Sequence, residues 1–154
     1  MQLNSVDDVF DLLSTRGDGA YGLTSVTQLE HALQSAALAA EQALGPTLTI
    51  AALLHDIGHM AVSKDIALAD VNIDDQHEIA GAAMLKNLFG ADVIEPILLH
   101  VPAKRWLCAT EPSYFSRLAP DSIQSLKLQG GPMSADEAAT FSNRPYALAA
   151  AALR

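Results

Sequence analysis

Helix start and stop signals divide this chain from end to end, and no stretch between them alternates polar and apolar residues as a strand would. Ser5 stands three residues before Asp8, and Ser134 three before Glu137. At that spacing a hydroxyl caps the first helical turn and a carboxylate answers it. Ser25 stands in the same relation to Gln28. From there Leu29, Leu33, Ala36, Ala40 and Leu44 recur at a helical period, and Gly45-Pro46 predicts the stop. Leu48 to His59 is apolar almost to its end and predicts a buried central helix. Asp74-Asp75 opens another, ending at Gly90, and Asp92 opens a shorter one to His100, bent or interrupted at Pro96. Pro120 starts a helix that Gly130-Gly131-Pro132 stops after Leu128, and Pro145 opens the last. Alanine, the strongest helix former, supplies 27 of the 154 residues. The expected class is all-α, a compact bundle of roughly six to eight helices in one domain over residues 1–154.

The charge balance narrows what such a bundle can bind. Nine Lys plus Arg against eighteen Asp plus Glu give a net charge of −9, which argues against nucleic acid or an anionic membrane as the main partner. The single cysteine, Cys108, excludes an internal disulfide and a Cys-rich zinc site, and suits a reducing cytoplasm. The N-terminus is acidic and lacks an apolar signal segment. A cytoplasmic protein, monomeric or a small homo-oligomer, is the expectation.

The sharpest local feature is His55-Asp56-Ile57-Gly58-His59, at the end of an apolar stretch. His55 and His59 are four residues apart and so share a helix face, with Asp56 beside them. Ala51, Ala52, Leu53 and Leu54 precede them, so the motif is expected in a dry setting. A buried Asp beside buried His is costly unless a metal or cation neutralises it. Imidazole and carboxylate without thiolate suit iron, manganese or zinc. Any one histidine is more often a structural or surface residue, and His59 alone reads equally as a polar helix end. His31, His77 and His100 fall on three further predicted helices, however, and metal sites in bundles are built from side chains converging from several helices.

With these residues the chain resembles the HD-domain metalloproteins. It is similar, from Tyr21 to Arg154, to the small mixed-valence diiron oxygenases of that superfamily that cleave carbon–phosphorus bonds. The stretch from Tyr21 through His31 to Ser35 carries the resemblance, as does Ser125-Leu126-Lys127-Leu128-Gln129-Gly130-Gly131-Pro132-Met133. The resemblance implies two irons, Fe(II) and Fe(III), bridged by Asp56. His31 and His55 would bind one, and His77 and His100 the other. O2 would be co-substrate, and a 1-hydroxyalkylphosphonate would yield a carboxylic acid and phosphate. Removing a carbon-bound hydrogen needs activated oxygen, which two irons can supply and a lone zinc cannot.

The same mapping makes Lys104, Ser122, Ser125 and Gln129 phosphonate contacts. Read without the family, Lys104 is an ordinary surface lysine, and Ser122, Ser125 and Gln129 an ordinary polar helix face. His59 maps to a histidine near substrate, better read as outer support or acid/base than as a ligand. Arg154 maps to an arginine beside the site, and Tyr21 to a tyrosine covering iron or substrate. Thr24 stands where amine-binding members carry glutamate; a threonine supplies no charge for a substrate ammonium. The family continues past the arginine to an aspartate that is the last iron ligand, so truncation at Arg154 is expected. The competing readings are an HD-type phosphohydrolase, whose metals activate water, and a non-catalytic ligand-binding HD module.

Overall fold

A computed structural model describes residues 1–22, 25–61 and 74–154. Among them are nine α-helices and one 3₁₀ segment, with no strand beyond an isolated antiparallel bridge between Ala20 and Thr27. The helices are α1 (Val6–Arg16), α2 (Gln28–Glu41), α3 (Pro46–Leu54), α4 (His77–Leu85), α5 (Ala91–Thr110), α6 (Pro112–Ser116), α7 (Pro120–Leu128), α8 (Ala135–Ser142) and α9 (Ala147–Ala152). The 3₁₀ segment, Ile57–Ala61, follows α3. Among the described residues no helix is long and apolar enough to cross a membrane.

The caps at Ser5 and Ser134 form as the spacing predicts, each hydroxyl accepting from the backbone three residues on. At α2 the cap is Thr27, paired with Glu30, two residues after the Ser25 expected from sequence. The α2 face turned inward carries Ala32 and Ala39, and Leu33 is exposed.

The largest departure is α5. The expected break at Pro96 does not occur, and one helix of 20 residues runs through both Pro96 and Pro102. An interior proline costs a helix about 3 kcal/mol. Here Val93, Pro96, Ile97, Leu99, Val101 and Ala103 are all buried, at about 1.5–3 kcal/mol for each large side chain, so packing outweighs the local penalty. With α3, α4, α8 and α9 packed against it, α5 is the central helix. The Leu48–His59 stretch, expected to fill that role, stops being α-helical at Leu54. The short α6 has no counterpart in the sequence reading, since Pro112 at its first turn gave the only signal.

The larger hydrophobic cluster joins Leu12 and Leu13 of α1 to Leu54, Ile57, Met84, Leu85 and Ile97. A smaller one gathers Leu99, Ala103, Phe141, Ala147 and Ala150. On α5, His100 falls between Ile97 of the first cluster and Ala103 of the second.

Candidate metal centre

Asp56 sits where α3 gives way to the 3₁₀ segment, and four helical elements aim an imidazole at it. Its Oδ2 lies 3.2 Å from His31 Nε2 (α2) and 3.1 Å from His55 Nε2 at the end of α3. Its Oδ1 lies 3.3 Å from His77 Nε2 (α4) and 3.3 Å from His100 Nε2 (α5). One carboxylate therefore faces two histidine pairs, one per oxygen. Within the pairs the Nε2 atoms are 3.4 Å apart for His31 and His55, and 3.0 Å for His77 and His100.

Backbone carbonyls and a carboxylate orient these rings. His55 Nδ1 lies 2.7 Å from Ala52 O, His100 Nδ1 2.6 Å from Ile97 O, and His77 Nδ1 2.8 Å from an Asp75 oxygen. Each partner only accepts, so each Nδ1 carries a proton, and Nε2 is the ring atom left to offer a lone pair to a cation. Lone pairs converging on an acceptor-only carboxylate are the donor set a cation requires. Two groupings could hold a metal ion by distance: His31, His55 and Asp56, and Asp56, His59 and His77.

The charges agree with that geometry. Burial works to raise the Asp56 carboxyl, but His55, His100 and His31 outweigh it and hold it well below the usual range. Burial disfavours a charge on His77, yet Asp56 and Asp75 lift it to about 9. On His100 burial prevails and brings it down to about 3. In the metal-free chain the two carboxylates thus hold a second proton on His77, at the Nε2 position a cation would take by displacing it.

Around this cluster the structure brings together most of the other residues singled out from sequence. Tyr21 stacks on His31, ring centroids 3.8 Å apart and 13° from parallel. Burial, reinforced by Asp56, raises its phenol, so the hydroxyl keeps its proton. Lys104 is not a surface lysine: it is 4% exposed, and its Nζ donates to Ser125 Oγ at 3.0 Å. Burial, then the nearby Arg154 charge, lowers its ammonium to about 8. Gln129 follows α7, and its Oε1 is buried without a partner among the described residues. Arg105 pins the following glycine turn to α5, its Nε donating to Gly131 O at 2.8 Å.

Beside His31 and His55 opens a cavity of about 330 Å³, bounded by Tyr21, Ser122 and Arg154 and running along α2 to Gln42. Among the described residues its lining contains no carboxylate. A wider groove of about 480 Å³, lined by Arg105, Met133 and Phe141, contains none of the predicted residues. Thr24 lies outside the described residues.

Three features escaped the sequence reading. Asp75, read there as a helix start, binds both His59 and His77. Tyr114 OH accepts from Arg154 Nε at 3.0 Å and steadies the guanidinium beside the cavity. Gly58 lets the 3₁₀ segment meet α4, since a Cβ there would lie 1.9 Å from His77 O. The first two had no local signal; the third is visible as a glycine inside the histidine motif.

The HD domain family matches residues 29–129. The chain is 43% identical over 142 residues to the 1-hydroxy-2-(trimethylamino)ethylphosphonate dioxygenase (glycine-betaine-forming) of Leisingera caerulea, which covers 92% of this chain and 72% of that protein. It is 44% identical over 150 residues to the hydroxymethylphosphonate dioxygenase of Gimesia maris, covering 97% of this chain and 74% of that protein.

Proposed function

Because the chain belongs to the HD domain family and to the branch that holds these phosphonate dioxygenases, we propose that it cleaves the carbon–phosphorus bond of a 1-hydroxyalkylphosphonate with O2. The observation that carries the reading is one carboxylate with a histidine pair on each oxygen. That arrangement suits two metal ions sharing a bridge. His31 and His55 would hold one iron, His77 and His100 the other, and Asp56 would join them. When bound, an Fe(II)/Fe(III) pair supplies the activation of dioxygen that side chains cannot perform.

The chain's own residues do the rest. Lys104, Ser122, Ser125, Gln129 and Arg154 would supply donors to phosphonate oxygens, a reading supported by the Lys104–Ser125 hydrogen bond and by Ser122 and Arg154 in the cavity wall, with Lys104 acting as a buried point charge. Tyr21 covers His31 and keeps water from that side of the centre. His59, its Nδ1 held by Asp75, has Nε2 free to take a proton from the substrate hydroxyl. With hydroxymethylphosphonate the products are formate and phosphate, and one O2 balances the equation.

The substrate's second substituent is expected to be small and uncharged. The cavity lining, free of carboxylates among the described residues, and the Arg154 charge both disfavour an ammonium group. The test offers iron-loaded protein hydroxymethylphosphonate, its trimethylammonioethyl analogue and a phosphate monoester, in air and under argon. Phosphate should appear from the phosphonates only in air, with kcat/KM at least about tenfold higher for hydroxymethylphosphonate than for the trimethylammonio analogue, a preference worth about 1.4 kcal/mol. Phosphate released from the monoester under argon would overturn the oxygenase in favour of the hydrolase. A protein that binds no iron and turns over nothing would support the non-catalytic module.

Lys104 gives a separate test. Its ammonium must be protonated to pair with phosphonate, and that form is lost as pH rises through about 8. The free-enzyme kcat/KM should therefore fall on the alkaline side from about pH 8. Lys104→Ala should lower kcat/KM about 10- to 100-fold, mainly through KM, and flatten that limb. An unchanged KM and an unchanged pH profile in this variant would remove Lys104 from substrate binding.

A further inference from the structure

The Asp75 carboxylate lies between two imidazoles, with Oδ2 2.6 Å from His59 Nδ1 and Oδ1 2.8 Å from His77 Nδ1. The two rings are stacked, centroids 3.9 Å apart and 20° from parallel. An ionised carboxylate only accepts, so it holds a proton on Nδ1 of both rings and leaves Nε2 as the atom of each that can bind a metal or exchange a proton.

His77 needs this partner because of where it stands in its helix. His55 and His100 find their acceptors three residues back in their own helices, at Ala52 O and Ile97 O. His77 is the first residue of α4, so no helical turn precedes it to supply a carbonyl. Instead Gln76 adopts the left-handed conformation, φ 48° and ψ 39°, and folds Asp75 back beside the ring two residues on. A non-glycine residue in that region is strained, and such strain persists where the surroundings impose it.

We propose that Asp75 is the positioning residue of this centre, orienting His77 as an Nε2 ligand with one oxygen and holding His59 beside it with the other. The inference rests on reading the cluster as an iron centre. Ligand and proton acceptor are then set by a single carboxylate outside the metal shell. The Asp75 side chain is 41% exposed and belongs to neither hydrophobic cluster, so its loss acts on the centre and not on the fold.

The test is anaerobic loading of the full chain with Fe(II) in competition with a chromogenic chelator. Wild type, Asp75→Ala, Asp75→Asn and Asp75→Glu are compared, with the melting temperature of each taken before loading. Wild type should bind two irons. The Ala and Asn variants should bind one of them about 10- to 100-fold more weakly and the other unchanged. Glu should recover part of the loss, and the melting temperatures before loading should stay together. Two wild-type affinities in the Asn variant would overturn the Asp75 role alone. So would an equal loss at both irons that tracks a collapsed melting temperature. A wild-type chain that takes up no iron would overturn the centre itself, and this role with it.

Discussion

Asp56→Ala is expected to lose both irons and all turnover while keeping its helices. Each Asp56 oxygen faces two imidazoles at 3.1–3.3 Å, so the substitution removes a donor from both pairs at once. It also removes, among the described residues, the only carboxylate placed between them, leaving neutral ligands that cannot offset the charge of two cations. The hydrophobic clusters do not include Asp56, so the fold survives. Asp56→Asn separates charge from shape, since it fills the same space without the charge, and it should fail in the same way. Iron at 100 times its dissociation constant stabilises the native state by about 2.7 kcal/mol. For a domain of this size that corresponds to a rise in melting temperature of roughly 5–10 °C for each of the two irons the wild type binds. Neither variant should show any rise. Two irons per chain in Asp56→Ala, measured by elemental analysis, would contradict the bridging role.

Gly58→Ala is the second large effect, and it arises from one methyl group. A Cβ at residue 58 would lie 1.9 Å from His77 O, 2.8 Å from His77 C and 2.9 Å from Gly81 N. All three are backbone atoms, so no side chain can swing away. The 3₁₀ segment and α4 must separate by more than an ångström, and His77 leaves its place opposite Asp56 Oδ1. Overpacking of this kind costs about 1–3 kcal/mol, or roughly 3–10 °C of melting temperature in a domain of this size. Displacement of a catalytic group by about 1 Å costs on the order of 100-fold in rate. The variant should therefore keep iron at the His31/His55 position, bind it more weakly at the His77/His100 position, and fall at least about 100-fold in kcat/KM. Wild-type melting and two irons per chain would show that the backbone yields more easily than these distances allow.

Local signals suffice at most helix ends, though not at α2, whose cap is Thr27 and not Ser25. The Ser5 and Ser134 caps, the Pro120 start and the stop before Gly130 each depend on a few neighbouring residues, and each stands as expected. Pro96 misleads because the burial of its neighbours Val93, Ile97 and Leu99, which outweighs its penalty, is set by other helices and not by local sequence. Leu48–His59 misled for the opposite reason. Nothing in its apolar run announces that Gly58 must turn into a 3₁₀ segment to meet the His77 carbonyl. Sequence leaves Lys104 open to either reading, and only the fold buries it, with its Nζ on Ser125 Oγ of α7. The histidines and Asp56 were legible because their spacing and the resemblance agree. Asp75 was not, because its contact with His77 depends on the left-handed Gln76 between them.

The central claim is that one carboxylate couples two irons at the point where the phosphonate binds. Electron paramagnetic resonance of the iron-loaded, half-reduced protein, recorded without oxygen before and after adding hydroxymethylphosphonate, tests it most directly. The expected result is a signal from a coupled Fe(II)/Fe(III) pair, absent in Asp56→Ala, that changes shape when the phosphonate is added. Isolated ferric signals in an active preparation, indifferent to the phosphonate, would contradict it.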